Sequence, residues 1–444
     1  MKFNLDYTEK IKEIIDNKKY YINTMGCAMN ENDSNKYSAI LEKSGYIKTD
    51  NISNADLVLF NTCSVRENAE NTLYGRLGEL KQYKNMIIIV VGCMSQQKHV
   101  QLKIAKSYKY VNIVMGTNCI NKLSYNIYKT LTNKEKIYDD TLDVDIVENT
   151  PINYDKSPSV SIIYGCNNYC SYCIVPYVRG FERSRNFEDI LNDINNIISK
   201  GYKEVTLLGQ NVNAYKYNDI NFPKLLQLIE KTNIQIIKFM SPHPAFFTDE
   251  LIEVISKSNK IYKQIHLPLQ SGNNNILKQM NRKYTKEEYL LLVDKIKNKC
   301  KDVSFSTDII VGFPNETNEE FLDTLDVVKK VKFDQVFMYI YSKRVGTKAA
   351  LIIDNIEEKE KVNRLETLKE ISKQIISENN EKMLNNIYDV IVEGISKNND
   401  EYYSGRTLTN KIVIFKGDIE DIGNVIKVKI ISNNIWFLKG EKVF

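Results

Sequence analysis

The sequence predicts an α/β protein in three parts: an N-terminal open parallel α/β sheet domain, a central partial (β/α) barrel, and a small C-terminal all-β barrel. Three observations carry this reading. Short apolar runs alternate with stretches of helical length in the first part, the pattern of a parallel sheet with crossover helices. The same βα unit recurs through the middle of the chain, as a full or partial barrel requires. Near residue 385 the period shortens to alternating runs separated by turn residues, as in a small barrel of strands.

The first segment spans 18–145, with strands expected at 20–23, 57–61 and 86–91. The third of these, MIIIVVG, is apolar throughout, as a strand covered on both faces should be. Residues from about 135 to 158 are acidic and polar, with two prolines, and read as a linker. The second segment spans 152–383. Its strand-like runs are SVSIIYG, EVTLLGQ, IIKFMS, QIHLPLQ, VSFSTDIIVGF and QVFMYIY, with helices expected at 187–199 and 285–298. A long charged stretch, 356–384, closes it as a helix. The third segment, 385–444, carries YDVIVEGI, KIVIF, VIKVKI and IWFLKG. Its acidic and basic residues balance, so any contact with RNA has to come from a local patch.

Composition sets the limits. The 444 residues are 43% hydrophobic, enough for two or three cores. No apolar run approaches the roughly 18 residues that span a bilayer. The N-terminus is charged and has no apolar stretch of a signal peptide, so a cytoplasmic protein is expected. A net charge of +5 permits a nucleic-acid partner without demanding one. Of the 61 basic residues only nine are arginine, and Arg179, Arg183 and Arg185 fall together.

Eight cysteines in a cytosolic chain do not suggest a disulfide framework. Clustered ones suggest metal or catalysis. Cys166, Cys170 and Cys173 follow an expected strand in the spacing Cys-x-x-x-Cys-x-x-Cys. Three thiolates from one loop hold three irons of a 4Fe–4S cube and leave the fourth iron without a protein ligand. That open iron suits chelation by the amino and carboxylate groups of S-adenosylmethionine. One electron then breaks a carbon–sulfur bond and leaves a 5′-deoxyadenosyl radical, while the protein binds and orients. A zinc loop would want a fourth Cys or His nearby. The nearest on either side are Cys119 and His243, 47 residues before and 70 after.

Cys27, Cys63 and Cys93 each lie just past an expected strand of the first segment. Loops at the carboxyl ends of strands in an open α/β sheet converge on one crevice. Three equivalent cysteines there point to a second three-thiolate cluster, against the alternative of buried core thiols. Cys119 and Cys300 have no such setting and read as core thiols. Arg179, Arg183 and Arg185 suit an anionic substrate such as a phosphate backbone, or else form a solvated turn. Gln210 and Asn211, and Gln270 and Ser271, sit at strand ends of the barrel mouth. They would hydrogen-bond the adenosylmethionine or simply build turns. His243, between two prolines, is a ligand, a proton donor or a structural residue.

Beyond single residues, the chain resembles the radical S-adenosylmethionine methylthiotransferases over nearly its whole length. The resemblance runs through TMGCAMNENDS, NTCSVRENAE, VGCMSQ, GCNNYCSYCIVPYVRGFERSR, LLGQNVN, HLPLQSG, DIIVGFPNET and YSKRVGTKAA. The final segment, with Gly405-Arg406-Thr407, resembles the RNA-binding module called TRAM. Asn281 stands where the family would have Gly, and Lys343 where it often has Pro.

The NTCSVRENAE, RGFERSR and LLGQNVN stretches resemble most the branch that modifies isopentenyladenosine in tRNA. Other branches act on threonylcarbamoyladenosine or on a ribosomal-protein aspartate. The resemblance implies methylthiolation of carbon 2 of the adenine beside the anticodon. It implies two 4Fe–4S clusters and two S-adenosylmethionine molecules per turnover. One methylates a sulfur held at the Cys27/Cys63/Cys93 cluster, and the other yields the radical at Cys166/Cys170/Cys173. Base chemistry of this kind takes the base out of its stack, and single-stranded loops allow that best. The implied partners are tRNA and an electron donor such as flavodoxin or ferredoxin, for a monomeric protein without a membrane.

Overall fold

The computed structural model describes residues 6–64, 68–142, 150–154, 157–396 and 399–443. Residues 65–67 of the second cysteine motif and part of the expected linker lie outside them. The chain forms two compact units. One comprises Met1–Tyr169, Cys173–Ile197 and Thr206–Gln210, and the other Cys170–Tyr172, Ile198–Val205 and Asn211–Phe444.

The first unit is built on six parallel strands: β1 (Lys19–Met25), β2 (Ile47–Lys48), β3 (Leu57–Thr62), β4 (Ile87–Gly92), β5 (Ile113–Met115) and β6 (Ile137–Asp139). Their spatial order is β2-β1-β3-β4-β5-β6. Side chains alternate between faces along a strand, and here both faces are apolar. Val58, Phe60, Ile88 and Val90 pack under Leu73, Leu77, Val100 and Ile104. Leu57, Leu59, Ile89 and Val91 pack against Tyr37, Leu41, Leu123 and Ile127 on the other side. Each such fully buried side chain contributes about 1.5–3 kcal/mol, which makes β3 and β4 the rigid centre of the unit. The first residues of the expected linker are extended: they form the edge strand β6, because the main chain of Ile137–Asp139 completes the ladder of β5.

The expected strand at 159–165 is two short ones, β7 (Ser159–Ser161) and β8 (Ile163–Tyr164). Strand β8 pairs antiparallel with β9 (Arg183–Ser184). Residues Thr206–Leu208 of β10 (Glu204–Leu208) run parallel to β7.

In the second unit a small hairpin, β11 (Lys216–Tyr217) and β12 (Ile220–Asn221), precedes a curved parallel run. Strand β13 (Ile236–Phe239) takes hydrogen bonds at Lys203 and bridges to Ile261. Beyond it lie β14 (Gln264–His266), β15 (Ser304–Val311) and β16 (Gln335–Ile340), paired in parallel. Amphipathic helices return the chain between them. Thr285 with Glu288 and Thr317 with Glu320 form capping boxes that start two of these helices where the sequence turns charged. The result is part of a (β/α) barrel.

The C-terminal segment closes into a five-stranded barrel of order β17-β18-β19-β21-β20. Its strands are β17 (Ile387–Ser396), β18 (Asn399–Thr407), β19 (Ile412–Lys416), β20 (Val425–Asn433) and β21 (Leu438–Lys442). Strand β18, NDEYYSGRT, was not expected. It is polar along much of its length and is held by main-chain pairing to both neighbours.

This small barrel is fixed to the amino ends of the parallel strands. Leu408 accepts from the backbone of Lys263 at 3.1 Å, and Thr407 from the Tyr262 hydroxyl at 2.7 Å. Thr409 accepts from Ser304 at 2.9 Å, and Lys411 pairs with Asp334 at 2.8 Å. Barrel enzymes do their chemistry at the opposite, carboxyl ends of the strands. No helix among the described residues is long and apolar enough to cross a membrane.

Candidate functional site

Cys27, Cys63 and Cys93 follow β1, β3 and β4, three adjacent strands, at the carboxyl edge of the sheet. A buried amide network sets the edge. Asn30 donates to the Asn61 side chain at 2.8 Å and to the Thr62 carbonyl at 3.1 Å, and Asn61 returns a 2.8 Å bond to the Asn30 carbonyl. The Cys27 thiol lies 3.4 Å from the Asn30 amide oxygen. The Cys93 backbone donates to Thr62 at 2.9 Å. Gly92 has φ +100°, and a Cβ there would run into the Thr62 carbonyl, so the turn into Cys93 needs glycine. Burial pushes the Cys93 thiol up to about 11, against the pull of Arg179. Cys63 and Cys27 both act to raise the Cys93 thiol.

Around the triplet, Gly165 plays the same part as Gly92. Its φ is +73°, and a Cβ would strike the carbonyls of Gly180 and Phe181. The Cys166 backbone donates to Gly180 at 3.2 Å, and Asn167 and Glu182 exchange two 3.1 Å bonds. In the second unit, Ser171 is tied to Met280 and Ala349 by backbone bonds of 3.0 and 2.8 Å. Arg282 donates to the Cys170 sulfur at 3.4 Å. Asn281, beside it, has φ +57°, a conformation open to Asn as well as Gly, which accounts for its standing at a glycine position.

The arginine group is not one surface. Arg179 is buried and pairs with buried Asp33 at 3.1 Å, and its charge opposes the upward shift of the Cys93 thiol. Arg185 is also buried. It donates to the Ser161 carbonyl and to Asp193, both at 2.9 Å. In this fold their forks hold carboxylates, Asp33 for Arg179 and Asp193 for Arg185. Arg183 is half-buried and donates to the Arg179 carbonyl at 3.3 Å.

Of the amides, Gln210 has its side-chain oxygen enclosed with no protein partner among the described residues. Asn211 is fully buried at the next position. Gln270 has φ +72°, and its backbone adds to the β15 ladder through Asp308 and Ile310. Ser271 is fully buried, and its hydroxyl meets Thr324 at 3.3 Å and accepts from the Asn273 backbone at 3.3 Å. His243 accepts from the Ala245 backbone through Nδ1 at 3.2 Å. Its Nε2 is enclosed without a partner among the described residues.

Alternation along β14, β15 and β16 points a polar set toward the barrel interior. His266 meets Ser306 at 3.0 Å and Asp308 at 3.2 Å, with the Phe337 ring 5.7 Å away. Sequence reasoning missed Asn30, Asp33, Asn61, Arg282 and this interior set. The available signals were a scarce arginine in MNRKYT and a polar-every-second pattern in SFSTD.

Both donor sets are all-thiol, the ligand type of iron–sulfur clusters. Each unit holds an enclosed polar atom without a partner among the described residues, the Gln210 oxygen in one and the His243 nitrogen in the other, and such groups are ordinarily satisfied by water or a bound molecule.

Comparison with known proteins places the chain. It matches the Radical SAM superfamily over residues 160–328, the uncharacterized protein family UPF0004 over 19–116 and the TRAM domain over 381–443. Radical SAM chemistry brings S-adenosylmethionine and a 4Fe–4S cluster. Among curated relatives, the tRNA-2-methylthio-N(6)-dimethylallyladenosine synthase of Thermoanaerobacter pseudethanolicus is 46% identical, covering 98% of this chain and 96% of that protein. Those of Clostridium novyi (45%; 96% and 96%) and Clostridium botulinum strain Okra (46%; 96% and 97%) match similarly. The chain belongs to the tRNA-2-methylthio-N(6)-dimethylallyladenosine synthase family.

Solved structures share the fold at low identity. The radical S-adenosylmethionine methyltransferase TsrM of Kitasatospora setae is 12% identical at TM-score 0.56, covering 75% of this chain and 77% of that one. The cobalamin-dependent radical enzyme OxsB is 12% identical at TM-score 0.51, covering 82% and 57%.

Proposed function

We propose that this chain methylthiolates carbon 2 of N6-isopentenyladenosine beside the anticodon of tRNA. The observation that carries the reading is the convergence of Cys27, Cys63 and Cys93 at one sheet edge, in a chain that also carries the Cys166/Cys170/Cys173 loop. A radical generator alone needs one set of thiolates. A sulfur donor needs a place to hold sulfur, and the second set supplies it. The names of the relatives agree with this substrate.

The parts divide the work by segment. Residues 18–145 hold one 4Fe–4S cluster through Cys27, Cys63 and Cys93. Residues 152–383 hold another through Cys166, Cys170 and Cys173. Residues 385–444 hold tRNA. When bound, one S-adenosylmethionine would supply the methyl group to sulfur held at the first cluster, and a second, at the other cluster, would supply the radical that activates an aromatic carbon–hydrogen bond no side-chain base can deprotonate. Gln210, Asn211 and Gln270 orient the cofactor at the barrel mouth. Arg183 faces the RNA backbone. His266, held by Ser306 and Asp308, offers a fixed hydrogen-bonding edge to a base that has left its stack. The fixed anchorage of the terminal barrel sets where the RNA enters. Flavodoxin or ferredoxin supplies the electron, and the protein works as a cytoplasmic monomer.

Nucleoside mass spectrometry tests the substrate. Removal of the gene abolishes 2-methylthio-isopentenyladenosine and accumulates isopentenyladenosine. An intact methylthio form, or loss of a methylthio group from threonylcarbamoyladenosine or a ribosomal aspartate instead, overturns the reading. Iron analysis of anaerobically purified protein tests the cluster count, with about eight irons per chain expected for two cubes.

A further inference from the structure

Arginine is scarce in this chain, yet a buried arginine lies against one cysteine of the triplet. Arg282 is 9% exposed. Its three nitrogens donate to the Tyr284 hydroxyl at 2.9 Å, the Cys170 sulfur at 3.4 Å and the Pro268 carbonyl at 2.9 Å. Among the described residues no carboxylate pairs with it. Arg179, by contrast, is buried with Asp33 as its counter-ion at 3.1 Å. A buried guanidinium without a counter-ion is costly, and a neutral thiol does not offset it. A cysteine that ligates iron is a thiolate. A cube held by three thiolates is net negative, and one charge more negative once reduced. Charge and hydrogen bonds at the sulfurs are what set the potential of such a cluster.

We propose that the Cys166/Cys170/Cys173 cluster is built against one buried arginine, Arg282 at Cys170, whose charge balances the thiolates and holds the reduction potential up. Arg282 is a positioning residue that acts through a ligand sulfur. The inference rests on the two-cluster reading above. Lysine, though abundant, lacks the planar fork that lets Arg282 hold a sulfur, a hydroxyl and a carbonyl at once.

The test is a redox titration followed by electron paramagnetic resonance, on the full chain loaded with iron and sulfide and without S-adenosylmethionine. Cys27→Ala and Cys166→Ala assign the two signals. Arg282→Met lowers the reduced-to-oxidised ratio of the Cys166 cluster about tenfold at a fixed potential, about 59 mV for one electron. The other cluster does not move. The Lys variant retains most of the wild-type potential. The Gln variant, which keeps a hydrogen bond but no charge, follows the Met variant and serves where Met fails to fold. Unchanged potentials, both clusters shifting together, a Gln variant at the wild-type value, or a shift seen only with S-adenosylmethionine present each overturn the proposal. Wild-type protein with about four irons per chain defeats the two-cluster reading first, whereas about eight irons with unmoved potentials defeats only this inference.

Discussion

Arg179 and Asp33 form an ion pair of 3.1 Å with side chains 5% and 4% exposed. Asp33 lies in the helix Ala28–Lys43 that starts at Cys27, and Arg179 ends the short helix Val175–Arg179 that follows the Cys166–Cys173 loop. The pair therefore ties the first cysteine segment to the chain leaving the second. Breaking a buried pair from one side costs about 3–5 kcal/mol. Asp33→Ala is expected to lose about that much in urea unfolding of the iron-free chain. The loaded chain should lose less, because the thiolates remain as partners for Arg179. An equal loss in both forms would remove the thiolates from the account.

The two cysteine sets make separable predictions. Cys166→Ala abolishes formation of 5′-deoxyadenosine. Cys27→Ala spares part of S-adenosylmethionine cleavage but eliminates sulfur insertion. If the Cys27 variant loses both activities to the same degree, the division of labour is wrong.

Gly165→Ala forces a Cβ into the carbonyls of Gly180 and Phe181 at a φ of +73°. The loop has to shift, and Cys166 with it. Iron content is expected to fall from about eight to about four per chain, with the Cys27 set still loaded. Full iron content in this variant would show that the turn tolerates a side chain.

His243 carries a pH dependence. Burial first, and the charge of Arg282 second, lower its pKa to about 2. Between that value and the unfolded value of about 6.5 the unfolded chain binds one more proton than the folded one. The stability this histidine contributes is present above about pH 6.5 and is lost as pH falls below it. From about pH 7 to about pH 5.5 the loss is about 1 kcal/mol. His243→Asn keeps an acceptor for the Ala245 backbone and removes the titration, so the difference in unfolding free energy between these pH values narrows by about that amount. A difference as large as wild type would place the pH dependence elsewhere.

Much of this was legible because the chemistry is local in sequence. Cys166, Cys170 and Cys173 share one loop, and spacing alone shows the missing fourth ligand. Cys27, Cys63 and Cys93 are far apart, but each follows an apolar strand, and parallel strands bring their ends together. Strand β18 escaped notice because its sequence is polar and its stability lies in pairing with β17 and β19. Strand β6 hid in an acidic stretch for the same reason.

The sequence by itself determined the three-part α/β architecture, the two thiol sets and the order in which they occur. Period and spacing are properties of neighbouring residues, so they survive without coordinates. Only the tertiary structure decided what the arginines do. Charge and position along the chain put Arg179, Arg183 and Arg185 in one group. Folding turns Arg179 inward to Asp33 and Cys93 and Arg185 to Asp193, and brings Arg282 from 109 residues beyond Cys173 against Cys170. A buried charge is placed by whatever can neutralise it, and that partner is set by the fold and not by distance along the chain.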